Sequence, residues 1–150
     1  MNKIILALLA VFILTAGTSV IFAEEVTVGG ISFDVPGNYS VNKTTNNSCI
    51  LKNNASDNYT ISIVPSESSD FALEKNSRIS SGFTFLSEEN YTSTNDIDIN
   101  QQNFIKNESY FSFYSFDVGN SSYSVSYIFP VHDNVNNQTN PVNEIIESIQ

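Results

Sequence analysis

The sequence has few of the residues on which catalytic and metal sites most often depend. Its 150 residues include one Cys, one His and no Trp. A single Cys excludes an internal disulfide framework. One Cys and one His cannot supply the four ligands of a structural zinc site. The sequence therefore predicts neither a disulfide-stapled scaffold nor a zinc fold, and it predicts no cofactor.

Cations are also scarce. The chain has 6 Lys and Arg against 16 Asp and Glu, so its formal net charge is -10. Nucleic acid is excluded as a partner because phosphate binding requires clustered basic side chains. Docking on an anionic lipid surface is unfavourable for the same reason. The length suits one ordinary domain, and a hydrophobic fraction of 41% is enough for a packed core.

The N-terminal segment has the layout of a secretory signal. Lys3 precedes an apolar stretch over residues 4–23, which ends on the small residue Ala23 and is followed by acidic residues. Cleavage after Ala23 is the preferred interpretation. The alternative is an uncut membrane anchor, because about 20 apolar residues can just span a bilayer. In both cases residues 1–23 are the signal or anchor, and residues 24–150 form one extracytoplasmic domain, secreted or held on the outer face of the membrane.

Alternation of apolar and polar residues predicts a sheet with mainly antiparallel strands. Gly29-Gly30 marks a bend before the first alternating segment, and Gly119-Asn120 is a favoured hairpin turn between the last two. These last two segments are dense in aromatic residues and are expected to form the centre of the sheet. The predicted strands are residues 31–35, 39–43, 48–52, 59–64, 93–99, 103–108, 110–118 and 123–129.

Two helices are predicted, one in the middle of the chain and one at its end. Asp70 or a serine before it can cap the middle helix, and Gly82 can end it. Phe71 and Ile79 are expected to face the core. The closing helix can be capped by Asn140 and can start at a proline, which suits its first position. Its apolar stripe consists of Val142, Ile145, Ile146 and Ile149.

The order of these elements predicts an α+β fold, with an antiparallel sheet of about six strands and both helices packed on it. Two short motifs resemble those of Mog1/PsbP/DcrB-like domains. The segment from Phe33 through Pro36 to Tyr39 resembles the phenylalanine–proline–tyrosine opening of that family, and Ile145 to Ser148 resembles the isoleucine–x–x–serine of its final helix. The chain is also similar to small secreted proteins of archaeal cell envelopes.

The family resemblance implies a sandwich fold and, as one functional alternative, an accessory subunit of a membrane complex. Members of this fold group include photosystem accessory proteins and binding partners of small GTPases. Neither role transfers with the fold, because unrelated functions share common folds.

The sequence offers little for nucleophilic catalysis. Cys49 lies in an apolar strand segment, where burial would raise the pKa of its thiol. A thiol–imidazole pair would require Cys49 to meet His132, which follows the last strand. A serine hydrolase would need the same His132, and the glycine–x–serine–x–glycine elbow is absent. No catalytic residue is therefore predicted, and a secreted hydrolase that gathers acidic side chains around His132 is kept as an alternative.

Residues 96–100 alternate acids with isoleucines and mimic the start of a calcium-binding loop. Such a loop requires Gly at its sixth position and Glu at its twelfth, which here are Gln101 and Asn107. A strand with Ile97 and Ile99 inward and the acids outward explains the alternation more simply. No metal site is predicted.

The aromatic residues of the last two predicted strands have two interpretations. They could line a ligand groove or an interface, because tyrosine is an adaptable contact residue. The preferred interpretation is that the Phe side chains fill the core and the Tyr hydroxyls reach the sheet surface. The residues concerned are Tyr110, Phe111, Phe113, Tyr114, Phe116, Tyr123 and Tyr127.

Asn–x–Ser/Thr motifs, the acceptors of N-linked glycans, are abundant. Nine occur in residues 24–150, where the composition alone would give about four. Many fall in predicted turns, where a glycan has room; the alternative explanation is a simple bias toward Asn and Ser. The acceptors are Asn38, Asn42, Asn46, Asn54, Asn58, Asn90, Asn107, Asn120 and Asn137.

Together these observations predict an exported domain of the cell envelope that acts by binding rather than by catalysis. The expected partner is another envelope protein or a surface polymer, with the membrane reached only through the N-terminal segment.

Overall fold

The computed structural model describes residues 23–67, 70–131 and 140–150. Within these residues the chain forms nine strands and two helices. The predicted signal or anchor lies outside them. The elements are β1 (Glu25–Val28), β2 (Ile31–Asp34), β3 (Tyr39–Thr45), β4 (Ser48–Asn53), β5 (Thr60–Ser66), α1 (Phe71–Ser80), β6 (Thr84–Thr92), β7 (Asp98–Lys106), β8 (Ser109–Val118), β9 (Ser121–Pro130) and α2 (Pro141–Glu147).

Seven of these strands form one antiparallel sheet in the order β3-β4-β5-β9-β8-β7-β6. The first two strands pair only with each other, as a separate hairpin. The predicted turn at Gly119-Asn120 joins the longest pair, in which Val118 lies opposite Ser121. The predicted α+β class is therefore confirmed, with one large antiparallel sheet, a two-stranded hairpin and two helices.

The main core lies between one face of the seven-stranded sheet and a layer made of β1, β2 and α2. The backbone NH of Gln150 donates to the carbonyl of Ser32 at 3.0 Å, and Asn95 donates its Nδ2 to the carbonyl of Ile146 at 2.9 Å. Helix α2 is thus tied both to the hairpin and to the β6–β7 connection. Its buried side chains are Pro141, Val142, Ile145 and Ile146.

The closing helix forms as predicted. Asn140 caps it by accepting from the backbone NH of Val142, and Pro141 occupies the first turn. The apolar stripe faces the core, and Val142, Ile145 and Ile146 are each at most 1% exposed. A helix of 7 residues is too short to persist alone in water, so docking on the sheet is what holds it.

The strand predictions fail in the β6–β7 region. Thr84–Thr92 is a strand that was not predicted, and it shows no alternation because it is an edge strand without a buried side chain. Residues 93–97 form a turn, in which the NH of Ser93 donates to the carbonyl of Ile97 at 2.9 Å. The end of the predicted strand at 93–99 and most of the one at 103–108 belong to a single strand, Asp98–Lys106. The polar residues in its centre concealed its continuity.

The orientation predicted for the middle helix is wrong. Asp70 caps it as predicted, by accepting from the NH of Leu73 at 3.0 Å, but α1 has no buried residue. Phe71 is half-buried, and Ile79 is 46% exposed. The side that faces the sheet is charged, as described below, so the few apolar residues do not mark the inner face.

The preferred prediction for the aromatic strands is also wrong in part. Tyr114, Tyr123 and Tyr127 lie in the main core and are at most 6% exposed. Phe111 and Phe113 are half-buried on the opposite face of the sheet, under α1. The tyrosines can be buried because their hydroxyls find partners; Tyr123, for example, donates to the carbonyl of Gly29 at 2.7 Å.

Among the described residues, no helix has the length and apolar content needed to cross a membrane.

Candidate functional site

Cys49 is placed where its thiol has little reactivity. It is 0% exposed on β4, and burial, followed by the negative charge of Glu24, raises its pKa to about 11. A thiol with so high a pKa is almost entirely protonated at neutral pH, whereas the thiolate is the nucleophile. Cys49 is a packing residue, as predicted. His132 lies outside the described residues.

The acidic residues of the calcium-like segment lie beside a shallow depression at one end of the sheet. Asp96 sits in the turn before β7, Asp98 accepts from the hydroxyl of Thr92 at 2.7 Å, and Asp117 accepts from Ser122 at 2.6 Å. Within residues 23–67, 70–131 and 140–150, no group of three or more His, Cys, Asp or Glu side chains is arranged to hold a metal ion. The buried Ile97 and Ile99 do point inward.

A cleft of about 460 Å³ opens at the other end of the sheet. Tyrosine rings from β3, from β9 and from the residue before β5 line it, together with Glu144. The hydroxyl of Tyr39 donates to that of Tyr127 at 3.3 Å, and burial raises the pKa of both phenols. Because these hydroxyls stay protonated, they can exchange hydrogen bonds with a polar ligand but do not act as bases. The tyrosines are Tyr39, Tyr59 and Tyr127.

Helix α1 lies on the sheet face opposite the main core, and a polar network attaches it there. Glu88 on β6 is the centre of this network: its two oxygens accept from Lys75 at 2.7 Å and from Asn100 at 2.9 Å. Gln102, 1% exposed, donates to the carbonyl of Phe71 at 2.9 Å. Lys75 and Asn100 hold the pKa of Glu88 below its usual range. The helix is held by hydrogen bonds and ion pairs where a packed apolar stripe would be usual.

Arg78 completes the attachment. Its guanidinium lies 3.9 Å from the ring centre of Phe113 and donates to Gln102 at 2.8 Å and to Glu74 at 2.9 Å. Phe104, 0% exposed, contacts Phe113 edge-on beneath it. A cation over an aromatic face gains about 0.5–2 kcal/mol. This cluster explains why the phenylalanines on the face opposite the main core are shielded from solvent: Arg78 of α1 lies over them.

The described cations are confined to one side of the molecule, where three of them are ion-paired with acidic side chains. We call the sheet face that carries α1, together with α1 itself, the α1 face, and the hairpin with α2 the acidic layer. Every Lys and Arg of the described residues lies on the α1 face, either on the helix or on outward strand positions: Lys43, Lys52, Lys75, Arg78 and Lys106. The acidic layer has no described cation and carries Glu24, Glu25, Asp34, Glu144 and Glu147.

Exposed apolar side chains are found on the same side as the cations. All large hydrophobic side chains that the described residues expose belong to α1, to β6 beside it or to the outward side of β5. Leu73 is 66% exposed and Ile79 is 46% exposed, both on the helix. The complete set is Val64, Leu73, Ile79, Phe85 and Leu86.

The sequence did not reveal the α1 face. Its inner helix positions, Phe71, Glu74, Lys75 and Arg78, do follow helical spacing. They are mostly charged, however, so a search for apolar stripes passes over them. The other half of the site comes from strand positions that only the sheet register brings together.

Replacing Glu88 by Gln should loosen α1 while leaving the main core intact. We expect the free energy of local opening of residues 71–80 to fall by about 1–3 kcal/mol, because Lys75 and Asn100 lose a charged acceptor. Hydrogen exchange of the helix amides measures this.

The same interaction predicts a dependence on pH. Since the folded pKa of Glu88 is lowered, the stability that it contributes is present above the unfolded pKa of about 4.3 and is lost as the pH falls through the folded value. Acid should therefore loosen the wild-type helix too.

Glu89→Gln is the matched control. Glu89 is the next residue along β6, is exposed and belongs to no part of this network. If Glu89→Gln loosened the helix as much as Glu88→Gln, a central role for Glu88 would be excluded.

The acceptor asparagines are spread around the sheet. Eight lie in the described residues, and all eight are exposed; Asn137 lies outside them. Asn38 lines the tyrosine cleft, and Asn54 and Asn58 lie in the β4–β5 connection beside it.

No protein-family model and no curated protein matches the chain. The solved structures that are similar to it include one from a cyanobacterium and one from a Bacteroides species. The solution structure of cyanobacterial PsbP (CyanoP) from Synechocystis sp. PCC 6803 superposes with a TM-score of 0.58 at 9% identity, over 91% of this chain and 98% of that one. A crystal structure from Bacteroides thetaiotaomicron VPI-5482 has a TM-score of 0.45 at 12% identity, over 80% of this chain; the match spans only 44% of the length of that protein. The chain thus has a PsbP-like fold, in agreement with the resemblance seen in its sequence.

Proposed function

We propose that this chain, with its PsbP-like fold, is an exported domain of the cell envelope that binds another protein through the α1 face. The observation that carries the proposal is that exposed apolar side chains and all described cations share one side of the molecule. Exposed apolar side chains that share one side of a molecule are a common feature of protein interaction sites.

Export is supported by the N-terminal layout of one Lys, an apolar stretch and an acidic start to the domain. The PsbP-like fold is compatible with a location outside the cytoplasm. The high content of Asn, Ser and Thr on an acidic surface is also suited to an aqueous extracytoplasmic setting.

A protein is favoured over a surface polymer by the chemistry of the α1 face. Leu73 and Ile79 are aliphatic, and they gain free energy only from an apolar partner surface. Sugar polymers are usually held by stacked aromatic rings and hydrogen bonds, which the tyrosine cleft offers and the outer side of α1 does not. We therefore assign the partner as a protein with an apolar patch.

The partner's surface should also carry acidic groups. Neither Lys43 nor Lys106 forms an ion pair among the described residues. Lys106 donates to the carbonyl of Ser81 at 2.8 Å and lies 4.5 Å from the ring centre of Phe83. Both ammonium groups therefore lack an acidic partner within the described residues and can meet carboxylates of a binding partner. Complementary charge mainly raises the association rate and makes it sensitive to salt.

An accessory subunit of a membrane complex is a narrower form of the same function. The fold similarity to CyanoP, which covers nearly all of that protein, is compatible with this form. The secreted-hydrolase alternative depends on acidic side chains gathered around His132, and that residue lies outside the described ranges, so the described residues give it no support.

Leu73→Glu should weaken partner binding without affecting the fold. Since the side chain is 66% exposed, the variant should melt with the wild type, whereas affinity should fall about tenfold or more. The measurement is quantitative co-purification of the tagged chain from native membranes, with proteins and carbohydrate both assayed in the eluate. We expect one protein at fixed stoichiometry, with a yield that falls as salt is raised.

Glu147→Lys is the matched control, because Glu147 is an exposed helical residue of the acidic layer. It should leave recovery unchanged. Recovery that survives Leu73→Glu but is lost with Glu147→Lys would move the binding site to the acidic layer. Recovery of carbohydrate that is not covalently attached to the tagged chain, without any protein, would replace the protein partner by a surface polymer.

A further inference from the structure

Exposure separates the asparagines of the described residues into two groups. All eight in Asn–x–Ser/Thr motifs are exposed. Of the other eight, only Asn47, Asn76 and Asn95 are exposed. The abundance of Asn alone would not produce this division, because it would place motif and non-motif asparagines in the same environments.

Hydrogen bonding also differs between the two groups. Four of the eight non-motif asparagines use their amide nitrogen to hold the fold: Asn103 donates its Nδ2 to Ser87 at 3.0 Å, and Asn140 donates its Nδ2 to Tyr114 at 2.9 Å. Asn95 and Asn100 do the same. Where a motif asparagine bonds through its side chain, it accepts through Oδ1, as Asn54 does from Ser40 and Asn90 from Asn100. Within the described residues, no motif asparagine donates a hydrogen bond through its Nδ2 atom.

The motif asparagines also follow the rim of the sheet. Asn42 lies on β3 and Asn90 on β6, the two edge strands. The other six lie at the ends of strands or in the connections between them: Asn38, Asn46, Asn54, Asn58, Asn107 and Asn120. No motif asparagine occupies the central strands β5, β8 and β9, on either face.

We propose that this rim is N-glycosylated, which rests on the export proposed above. In each transfer the Nδ2 of asparagine attacks C1 of a lipid-linked sugar phosphate or pyrophosphate. An N–C1 bond forms and the C1–O bond to phosphate breaks. The lipid phosphate leaves with the electron pair of that bond, and the amide proton passes to base. The reaction requires an accessible Nδ2, and the motif asparagines alone combine that accessibility with the acceptor sequence.

Glycans at these positions would have two structural effects. On β3 and β6 they would shield the unpaired strand edges, which otherwise invite pairing with other chains. At Asn38, Asn54 and Asn58 they would surround the mouth of the tyrosine cleft. The centre of the α1 face would stay bare, and it is the surface that we assign to the partner.

The test is intact-mass and glycopeptide analysis of the protein purified from the cells that naturally produce it. We expect mature chains, without their leader, that carry several sugar increments. Ser109→Ala should remove the increment at Asn107 while the asparagine remains, and Ser109→Thr should restore it. Asn76→Gln, at an exposed asparagine outside any motif, should change nothing.

Exported chains with the bare polypeptide mass would overturn the glycan proposal and leave export and binding intact. A chain that keeps its leader and stays in the cytoplasm would overturn both. If Asn107 kept its sugar in Ser109→Ala, or if the sugars were attached to Ser or Thr, the Asn–x–Ser/Thr motif would not be the signal that the transferase recognises.

Discussion

Gly29→Ala is expected to lower the free energy of unfolding by about 2–5 kcal/mol. Gly29 has a φ of 58°, which costs an L-residue about 1–2 kcal/mol. A methyl group there would also overlap Cγ of Pro65 and lie 3.3 Å from the ring of Tyr123, and such overpacking costs a further 1–3 kcal/mol, roughly. Equilibrium unfolding in denaturant measures the change. The cost arises because the β1–β2 turn lies directly on the end of β5.

Gly119→Ala is the matched control for this prediction. Gly119 has nearly the same φ, 61°, but nothing lies within 4 Å of an added methyl group. Only the conformational cost of about 1–2 kcal/mol should appear. Equal losses of unfolding free energy for the two variants would mean that the β1–β2 turn does not pack against Pro65.

Ile146→Ala should cost about 2–5 kcal/mol, as is typical for truncation of a fully buried isoleucine. Ile146 is 0% exposed on the core side of α2. Loss of its side chain leaves a cavity between the helix and the sheet. Because α2 has 7 residues and no independent stability, we expect the whole helix to lose protection in hydrogen exchange.

Ile149→Ala gives the comparison within the same stripe. Ile149 is only partly buried against the core, beyond the end of α2. Its truncation should cost clearly less than that of Ile146. If the two costs were the same, the end of the chain would be held by Ile149 and by the bond from Gln150 to Ser32, and not by packing of the helix.

The elements that were predicted correctly are those with one buried face and one face exposed to solvent. The β8–β9 hairpin alternates along its length and turns at Gly119-Asn120, and α2 shows its stripe and its Asn140 cap. In each case burial of one face puts a period of 2 or of 3.6 into the residues. Strand β6 has no buried face, so it left no such pattern.

The α1 face could not be predicted for a different reason. Helix α1 is oriented by Glu88 and Gln102, which reach it from β6 and β7. Polar contacts of this kind depend on which strands become neighbours, and they leave no periodic mark in the helix itself. The apolar residues Phe71 and Ile79 therefore suggested an inner side that the structure does not have.

Composition and local pattern thus established the α+β class, the two helix caps, the packing role of Cys49 and the acceptor motifs, because these depend on residue type and short spacing. Tertiary structure decided which way α1 faces, which aromatics enter the core and how charge divides between the two sides of the sheet. Those properties depend on strand order and register. The motifs illustrate the division: spacing identifies the asparagines, and only the fold shows that the amide nitrogens of the eight described ones donate no hydrogen bond within the described residues.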